Sequence, residues 1–134
     1  MSDASPPPAA GTIGWHDLTV ADAEGVRDFY QAVVGWTPQA VDMGEYSDWT
    51  MLAADGSAAG GVCHARGPNT DIPPVWLVYV RVEDMDGSLR AVREGGGEVV
   101  VGARSLGGGR MAVIRDPAGA ILALWEEAAG PRAG

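Results

Sequence analysis

The segment VADAEGVRDFYQAVVG, residues 20–35, decides the fold because it returns in altered form as VEDMDGSLRAVREGGG, residues 82–97. Four positions are identical in the two copies: Val20 and Val82, Asp22 and Asp84, Gly25 and Gly87, and Gly35 and Gly97. In each copy an alternating strand precedes an aspartate that is suited to cap the N-terminus of a helix. Glycines follow each helix, as is typical of a C-terminal cap. The sequence therefore predicts one small unit that occurs twice.

The pattern of apolar residues and turns predicts the same order of elements in both copies. Each copy begins with a strand, at residues 13–20 and 76–82, and continues with a helix, at residues 23–33 and 85–94. Three short strands then follow, at residues 36–41, 46–53 and 58–64 in the first copy and 98–102, 110–115 and 120–126 in the second. The predicted plan is βαβββ twice, and the segment at 105–111 is predicted to be a flexible hairpin.

Composition limits the classes of partner. The chain has 134 residues, a formal net charge of −9 and no lysine, so its surface repels nucleic acid and anionic membranes. The single cysteine, Cys63, excludes an intramolecular disulfide and fits a reducing compartment. No apolar run is long enough to span a membrane, and no signal peptide is recognisable. A cytoplasmic location is expected.

The ends of the chain differ in composition from its middle. Residues 1–11, MSDASPPPAAG, predict a disordered leader, and residues 128–134 predict a flexible tail. One domain is expected at 12–127, with a first module at 12–64, a proline-rich linker at 65–74 and a second module at 75–127.

The duplicated βαβββ plan, with FYQAVVGW at 29–36 and DPAG at 116–119, resembles the vicinal oxygen chelate superfamily. That superfamily includes glyoxalase I, extradiol dioxygenases and the bleomycin-resistance type of drug-binding protein. The resemblance covers about residues 12–127. It implies an α+β fold in which two tandem modules form a curved, partly open barrel-like sheet, with helices on the convex side and the ligand on the concave side.

Many members of this superfamily hold a divalent metal ion on the first and last strands of each module. The resemblance places those four ligand positions at Trp15, Gly61 (or Gly60), Leu77 and Ala123. None of these side chains offers a lone pair to a metal. His16 is one residue out of phase, and alternation along a strand turns it to the helix side with Leu18. No metal and no other cofactor are therefore expected.

Alternation also selects the residues that are expected to line a ligand cavity. Asp17, Tyr79 and Arg81 would orient a ligand, and the large flat tryptophans would stack on it. The predicted ligand-binding residues are Trp15, Asp17, Thr19, Trp49, Tyr79, Arg81 and Trp125. The tryptophans could equally fill the core or a dimer interface, and Asp17 with Arg81 could form a structural ion pair. Cys63 is expected to be a small buried hydrophobe and His64 an exposed residue at a strand end.

Four functions remain open, and the leading one is a metal-independent small-molecule-binding protein. It would bind an aromatic or apolar compound, such as an antibiotic or another natural product. The main alternative is a metal-free isomerase, cyclase or lyase in which Asp17 is the base and Tyr79 or Arg81 stabilises developing charge. A divalent-metal glyoxalase or dioxygenase and a simple dimerisation module are the others. A homodimer is expected, because open sheet edges need cover.

Overall fold

The structure is a computed structural model that describes residues 9–128 of the chain. It contains two helices, eight strands and a short 3-10 helix at Gly67–Asp71. The elements are β1 (Ile13–Val20), α1 (Ala23–Val34), β2 (Thr37–Asp42), β3 (Ser47–Leu52), β4 (Ala58–His64), β5 (Leu77–Arg81), α2 (Met85–Glu94), β6 (Glu98–Leu106), β7 (Gly109–Arg115) and β8 (Ile121–Glu127). The α+β class and the repeated βαβββ order are confirmed.

The chain forms two compact units. The first unit is Trp15–Leu77, and the second unit consists of residues 9–14 and 78–128. The first unit has the strand order β2-β3-β4-β1, in which β1 and β4 are parallel and the other pairs are antiparallel. The second unit repeats this arrangement as β6-β7-β8-β5, with β5 and β8 parallel. The predicted module limits stay a prediction.

Two segments are more regular than the sequence suggested. Strand β6 continues to Leu106 and pairs with Gly109 of β7, so the expected hairpin is present and its turn is tight, while its flexibility stays a prediction. Gly107 makes this turn possible with a positive φ of 56°, a conformation that other residues rarely adopt. The proline-rich linker contains the 3-10 helix, which no pattern in the sequence predicts.

The predicted leader and tail lie outside the described residues except where each meets the domain. Residues 9–11 form a turn in which the Gly11 N–H donates a hydrogen bond to the Arg81 carbonyl oxygen, at 2.7 Å. At the other end, the Ala128 N–H donates to the Gly108 carbonyl oxygen, also at 2.7 Å.

The shared aspartate and glycine of the two copies form the same helix cap. A carboxylate oxygen of Asp22 accepts a hydrogen bond from the Gly25 N–H at 3.0 Å, and Asp84 accepts one from Gly87 at 3.2 Å. A Cβ atom at Gly25 would lie 2.3 Å from the Asp22 carboxylate, and one at Gly87 would lie 2.6 Å from that of Asp84. The repeat therefore preserves a pair of residues that act together.

This packing predicts that Gly25→Ala does not stabilise α1 in the native chain. Alanine favours a helix over glycine by about 1 kcal/mol, but the added Cβ displaces the Asp22 cap, which contributes about as much. In an Asp22→Ala background, with no cap left to displace, Gly25→Ala should stabilise by about 1 kcal/mol. Urea unfolding of the four proteins measures this coupling. An equal stabilisation in both backgrounds would show that the two residues act independently.

Each helix covers one face of its own unit. In the first unit Ala23, Trp49, Met51 and Val62 form the buried cluster beside α1, and in the second Met85, Leu89, Ala112 and Leu124 form the cluster beside α2. Val26 and Tyr30 of α1 pack against the first cluster. Phe29 and Val33 fit the same apolar stripe by helical spacing but are 57% and 63% exposed. No helix among residues 9–128 is long and apolar enough to cross a membrane.

Candidate functional site

The first strand presents its odd-numbered residues to the face opposite the helix, here called the helix-free face. Val20 packs against the cluster beside α1, so Trp15, Asp17 and Thr19 lie on the other face by strand alternation. The parallel pairing of β1 with β4 sets Asp17 beside Gly61 and Thr19 beside Cys63. Thr19 is buried, whereas Trp15 and Asp17 are half-buried and partly open to solvent. The structure brings these three predicted residues together.

Gly61 is the centre of this group. A Cβ atom at Gly61 would lie 3.3 Å from the Asp17 Cβ and 3.7 Å from both Trp15 Cζ2 and Cys63 Sγ. Because glycine has no side chain, the edge of the indole lies over the backbone of β4. An indole, a carboxylate and a thiol thus surround one small patch of backbone, a combination suited to holding a flat molecule with one polar group.

The thiol of Cys63 and the carboxylate of Asp48 belong to this face, although no local sequence pattern indicates it. Burial raises the pKa of the Cys63 thiol far above its ordinary value, and the negative charges of Asp17 and Asp48 raise it further. The protonated thiol donates a hydrogen bond to Asp48. Cys63 is therefore a neutral hydrogen-bond donor and not a nucleophile, since the thiolate is the reactive form.

The raised pKa of Cys63 predicts a loss of stability in alkali. Above the ordinary thiol pKa of 9.0 the unfolded chain releases this proton, whereas the folded chain keeps it. The free energy of unfolding should therefore be unaffected below that pH and should fall above it, by up to about 1.4 kcal/mol per pH unit. Urea unfolding of the native chain and of Cys63→Ala between pH about 7 and about 10.5 measures the difference. If the free energy of unfolding falls with pH at the same slope in both proteins, the Cys63 thiol is not the group responsible.

His64 is not the exposed strand-end residue that the sequence suggested. The Asp48 carboxylate accepts a hydrogen bond from the His64 backbone N–H at 2.9 Å and lies 3.1 Å from the ring Nδ1. The rings of Tyr46 and Trp49 lie 5.2 Å and 5.4 Å from the imidazole, which leaves its side chain 15% exposed. The carboxylate that contacts this histidine is sixteen residues away in the sequence, so no local pattern indicates the contact.

The structure places Trp49 on the side of the helix. It is 8% exposed, pairs with Val62 across β3 and β4, and packs in the cluster beside α1. The guanidinium of Arg27 lies 4.5 Å from the centre of its ring. Trp49 therefore lies on the face away from Trp15, which corrects its expected position among the ligand-binding residues.

In the second unit the predicted residues also share one face. Tyr79 pairs with Ala123 and Arg81 with Trp125 across β5 and β8, whereas the alternate residue Leu124 packs in the cluster beside α2. Tyr79 is 7% exposed, and the indole of Trp125 lies where a Cβ at Gly109 would come within 2.9 Å of it. Tyr79, Arg81 and Trp125 thus lie on the helix-free face of their own unit.

Acidic groups accompany the arginines of the second unit. The Arg81 Nε lies 3.6 Å from a Glu127 carboxylate oxygen, and its Nη1 lies 3.9 Å from one of Glu83. Arg110 donates from Nε to Glu126 at 3.0 Å, and a second oxygen of Glu126 accepts from the Met85 N–H at the start of α2. The hydrogen bond from Met85 and the guanidinium of Arg110 lower the pKa of Glu126. This second network holds the helix end and is structural.

The four positions that hold a metal ion in related proteins do not fit one here. Trp15 and Gly61 offer no ligand atom, and the side chains of Leu77 and Ala123 are apolar and buried. His16 is exposed and lies on the face opposite Trp15. Within residues 9–128, no group of three or more His, Cys, Asp or Glu side chains is arranged to hold a metal ion.

The fold and these residues define a duplicated βαβββ protein of the class that the sequence resembles. The model of the Glyoxalase/Bleomycin resistance protein/Dioxygenase superfamily matches residues 12–124. The chain belongs to this superfamily.

The curated relatives that the chain matches fall into two groups. The chain is 34% identical over 132 residues to the anthracycline biosynthesis protein DnrV of Streptomyces peucetius, an alignment of 89% of this chain and 48% of DnrV. It is also 34% identical over 122 residues to the putative glyoxylase CFP32 of Mycobacterium bovis, covering 87% of this chain and 46% of CFP32. The chain therefore spans about half the length of the curated relatives it matches.

Solved structures share the fold at low sequence identity. Methylmalonyl-CoA epimerase from Mycobacterium tuberculosis superimposes with a TM-score of 0.55 at 20% identity, covering 95% of each chain. A glyoxalase/bleomycin resistance protein/dioxygenase superfamily member from Vibrio splendidus 12B01 gives a TM-score of 0.52 at 10% identity, covering 84% of this chain and 97% of that one. These similarities show the fold and carry no information about the ligand.

Proposed function

We propose that the chain binds an aromatic or largely apolar small molecule on the helix-free face of β1 and β4, without a metal ion. The observation that carries the proposal is the half-buried indole of Trp15 beside the bare backbone of Gly61. The indole supplies a flat apolar surface, and the half-buried carboxylate of Asp17 supplies one directional polar contact. The helix-free face of the second unit also carries aromatic and polar groups, which are the rings of Tyr79 and Trp125 and the guanidinium of Arg81.

The charges of this face favour a ligand with a donor group. The carboxylates of Asp17 and Asp48 both lie close enough to Cys63 to raise the pKa of its thiol, so they give this face a negative potential. A ligand carboxylate or phosphate would be repelled there, whereas a hydroxyl or an amine would be attracted. We therefore propose a planar compound that presents a hydroxyl or amino group towards Asp17.

One of the two groups of relatives supports a ligand of this type. DnrV is named as an anthracycline biosynthesis protein. Anthracyclines are planar fused-ring compounds that carry hydroxyl groups and an amino sugar, which is the chemistry that an indole beside a carboxylate would recognise. Because this chain matches only 48% of DnrV, a shared ligand class is a proposal and not a conclusion from similarity.

The residues at the four ligand positions support independence from metal, which separates this proposal from a glyoxalase or dioxygenase activity. The test is to titrate protein dialysed against a chelator with planar polyketides that carry hydroxyl or amino groups, while tryptophan fluorescence is followed. Saturable quenching that added Zn²⁺, Ni²⁺ or Mn²⁺ does not change supports the proposal. Binding only after metal is restored, or none by any compound, overturns it.

A metal-free enzyme is the second candidate, because Asp17 is a half-buried carboxylate on the same face as Trp15. A carboxylate in this position would act as the base of an isomerase, cyclase or lyase. Asp17→Asn separates the two functions. In an enzyme it removes turnover and leaves the dissociation constant within a few-fold, whereas in a binding protein it weakens the complex and no product forms with either protein.

A further inference from the structure

The carboxylate of Asp48 contacts both the proposed ligand face and a histidine outside that face. It accepts a hydrogen bond from the Cys63 thiol, and it also lies 3.1 Å from Nδ1 of His64 and accepts from the His64 backbone N–H at 2.9 Å. The Cys63 Sγ and the Asp17 Cβ lie 3.7 Å and 3.3 Å from the position of a Cβ at Gly61. These groups form one continuous row from the proposed ligand contact to the imidazole, here called the charge row, which consists of Asp17, Cys63, Asp48 and His64.

The imidazole of His64 is placed to change its charge. An ionised carboxylate only accepts hydrogen bonds, so the neutral ring carries its hydrogen on Nδ1, towards Asp48. Within residues 9–128 the other ring nitrogen, Nε2, has no hydrogen-bond partner, and the side chain keeps 15% of its surface exposed. Nε2 can therefore take up a proton from solvent while the contact with Asp48 stays in place. Histidine is the side chain that ordinarily gains or loses its charge between pH about 5 and about 8.

The cations around the imidazole keep their charges over this range of pH. The ring of Tyr46 contacts both the imidazole, at 5.2 Å, and the guanidinium of Arg66, at 4.0 Å. The ring of Trp49 likewise contacts the imidazole at 5.4 Å and the guanidinium of Arg27 at 4.5 Å, and Arg27 also pairs with Asp28. Arginine stays protonated in proteins, so the change of charge at this end of the charge row comes from the imidazole.

We propose that His64, acting through Asp48, sets how strongly the ligand face prefers a cationic ligand over a neutral one. This inference rests on the proposed function. While the imidazole is neutral, the charge row carries the negative charges of Asp17 and Asp48, which attract an ammonium group beside Trp15. Once the imidazole is protonated, its positive charge offsets that of Asp48, and the attraction falls. An uncharged ligand is little affected by this change, so the selectivity of the face depends on pH.

Two fused-ring probes that differ in charge measure this selectivity: anthracenylmethyl trimethylammonium and anthracenylmethanol. The quaternary ammonium group keeps its charge at every pH, so any effect of pH belongs to the protein. Isothermal titration calorimetry at pH about 5.5 and about 8, at one ionic strength, gives the ratio of the two dissociation constants. In the native chain the preference for the ammonium probe is expected to fall about fivefold from the higher pH to the lower.

The two histidines of the chain supply a matched pair of variants. His64→Gln keeps an N–H donor for Asp48 but takes up no proton, so its preference is expected to be the same at both pH values. His16→Gln removes an exposed imidazole from the opposite face of β1, where solvent screens its charge, and is expected to keep the native fall. Far-UV circular dichroism at both pH values checks that the variants are folded.

A native chain with the same preference at both pH values overturns the inference, and this result needs no variant. So does a fall that His64→Gln keeps or that His16→Gln removes, because the titrating group then lies elsewhere. If neither probe binds at either pH, the proposed function fails and the inference fails with it. Binding of both probes at a constant ratio is a different result, which rejects the role of His64 and leaves the ligand face in place.

Discussion

Trp15→Ala is expected to weaken the binding of a planar compound at least about 30-fold, which corresponds to about 2 kcal/mol. The indole edge lies 3.7 Å from the position of a Cβ at Gly61 and supplies the flat surface of the proposed site. Its removal leaves Asp17 as a polar contact without a stacking partner. Isothermal titration calorimetry with the tightest compound from the fluorescence screen measures the change.

The matched control for Trp15→Ala is Trp49→Phe. Both variants remove one indole from the first unit, but Trp49 lies in the cluster beside α1. Trp49→Phe is expected to leave the dissociation constant within about threefold of the native value. Equal losses of affinity in the two variants would mean that the effect comes from general loosening of the first unit, and the assignment of the helix-free face would fail.

Trp49→Ala is expected to cost about 3–5 kcal/mol of folding stability, the largest effect on unfolding that we predict. The indole is 8% exposed and contacts the core cluster, the Arg27 guanidinium and the ring of His64. Its loss leaves a cavity in this cluster. Trp15→Ala removes a half-buried ring from the opposite face and should cost no more than about 2 kcal/mol.

Urea unfolding followed by far-UV circular dichroism measures both losses without relying on tryptophan fluorescence. The two substitutions remove the same side chain, so composition cannot explain a difference between them. The expected pattern is a crossed one, in which Trp49→Ala affects stability and Trp15→Ala affects ligand binding. A larger loss of stability in Trp15→Ala would show that its indole is the core residue and would reverse the assignment of faces.

The fold could be predicted from the sequence because its signals are local and occur twice. Asp22 and Gly25 are three residues apart, as are Asp84 and Gly87, and each pair forms a cap through one hydrogen bond. The alternating strand before each cap sets the helix side and the helix-free side. A repeat of local signals of this kind fixes the order of elements without any knowledge of long-range contacts.

The position of Trp49 could not be predicted in the same way. Asp48, Trp49, Thr50 and Met51 alternate between the faces of β3, but polar and apolar residues are plausible on either face of this unit. Only the pairing of Trp49 with Val62 shows which set meets the helix. That pairing depends on the register between β3 and β4, which shifts between Met51 and Leu52 and is not visible in the sequence.

The surroundings of His64 and of Phe29 could not be predicted from the sequence either, for a related reason. His64 is held by Asp48, sixteen residues earlier, and this contact exists only once β3 and β4 are paired. Phe29 fits the apolar stripe of α1 by spacing, yet Val26 and Tyr30 suffice to cover the core and Phe29 stays outside. A helical period shows which residues share a face but does not show how wide a face the sheet can cover.

The assignment of the ligand to the helix-free face of β1 is tested most directly by a crystal structure of the chain with a bound planar compound. We expect the compound to lie against the indole of Trp15, with a hydroxyl or amino group within hydrogen-bond distance of the Asp17 carboxylate. Density that instead shows the compound, or a coordinated metal ion, held by the imidazole of His16 would contradict the account.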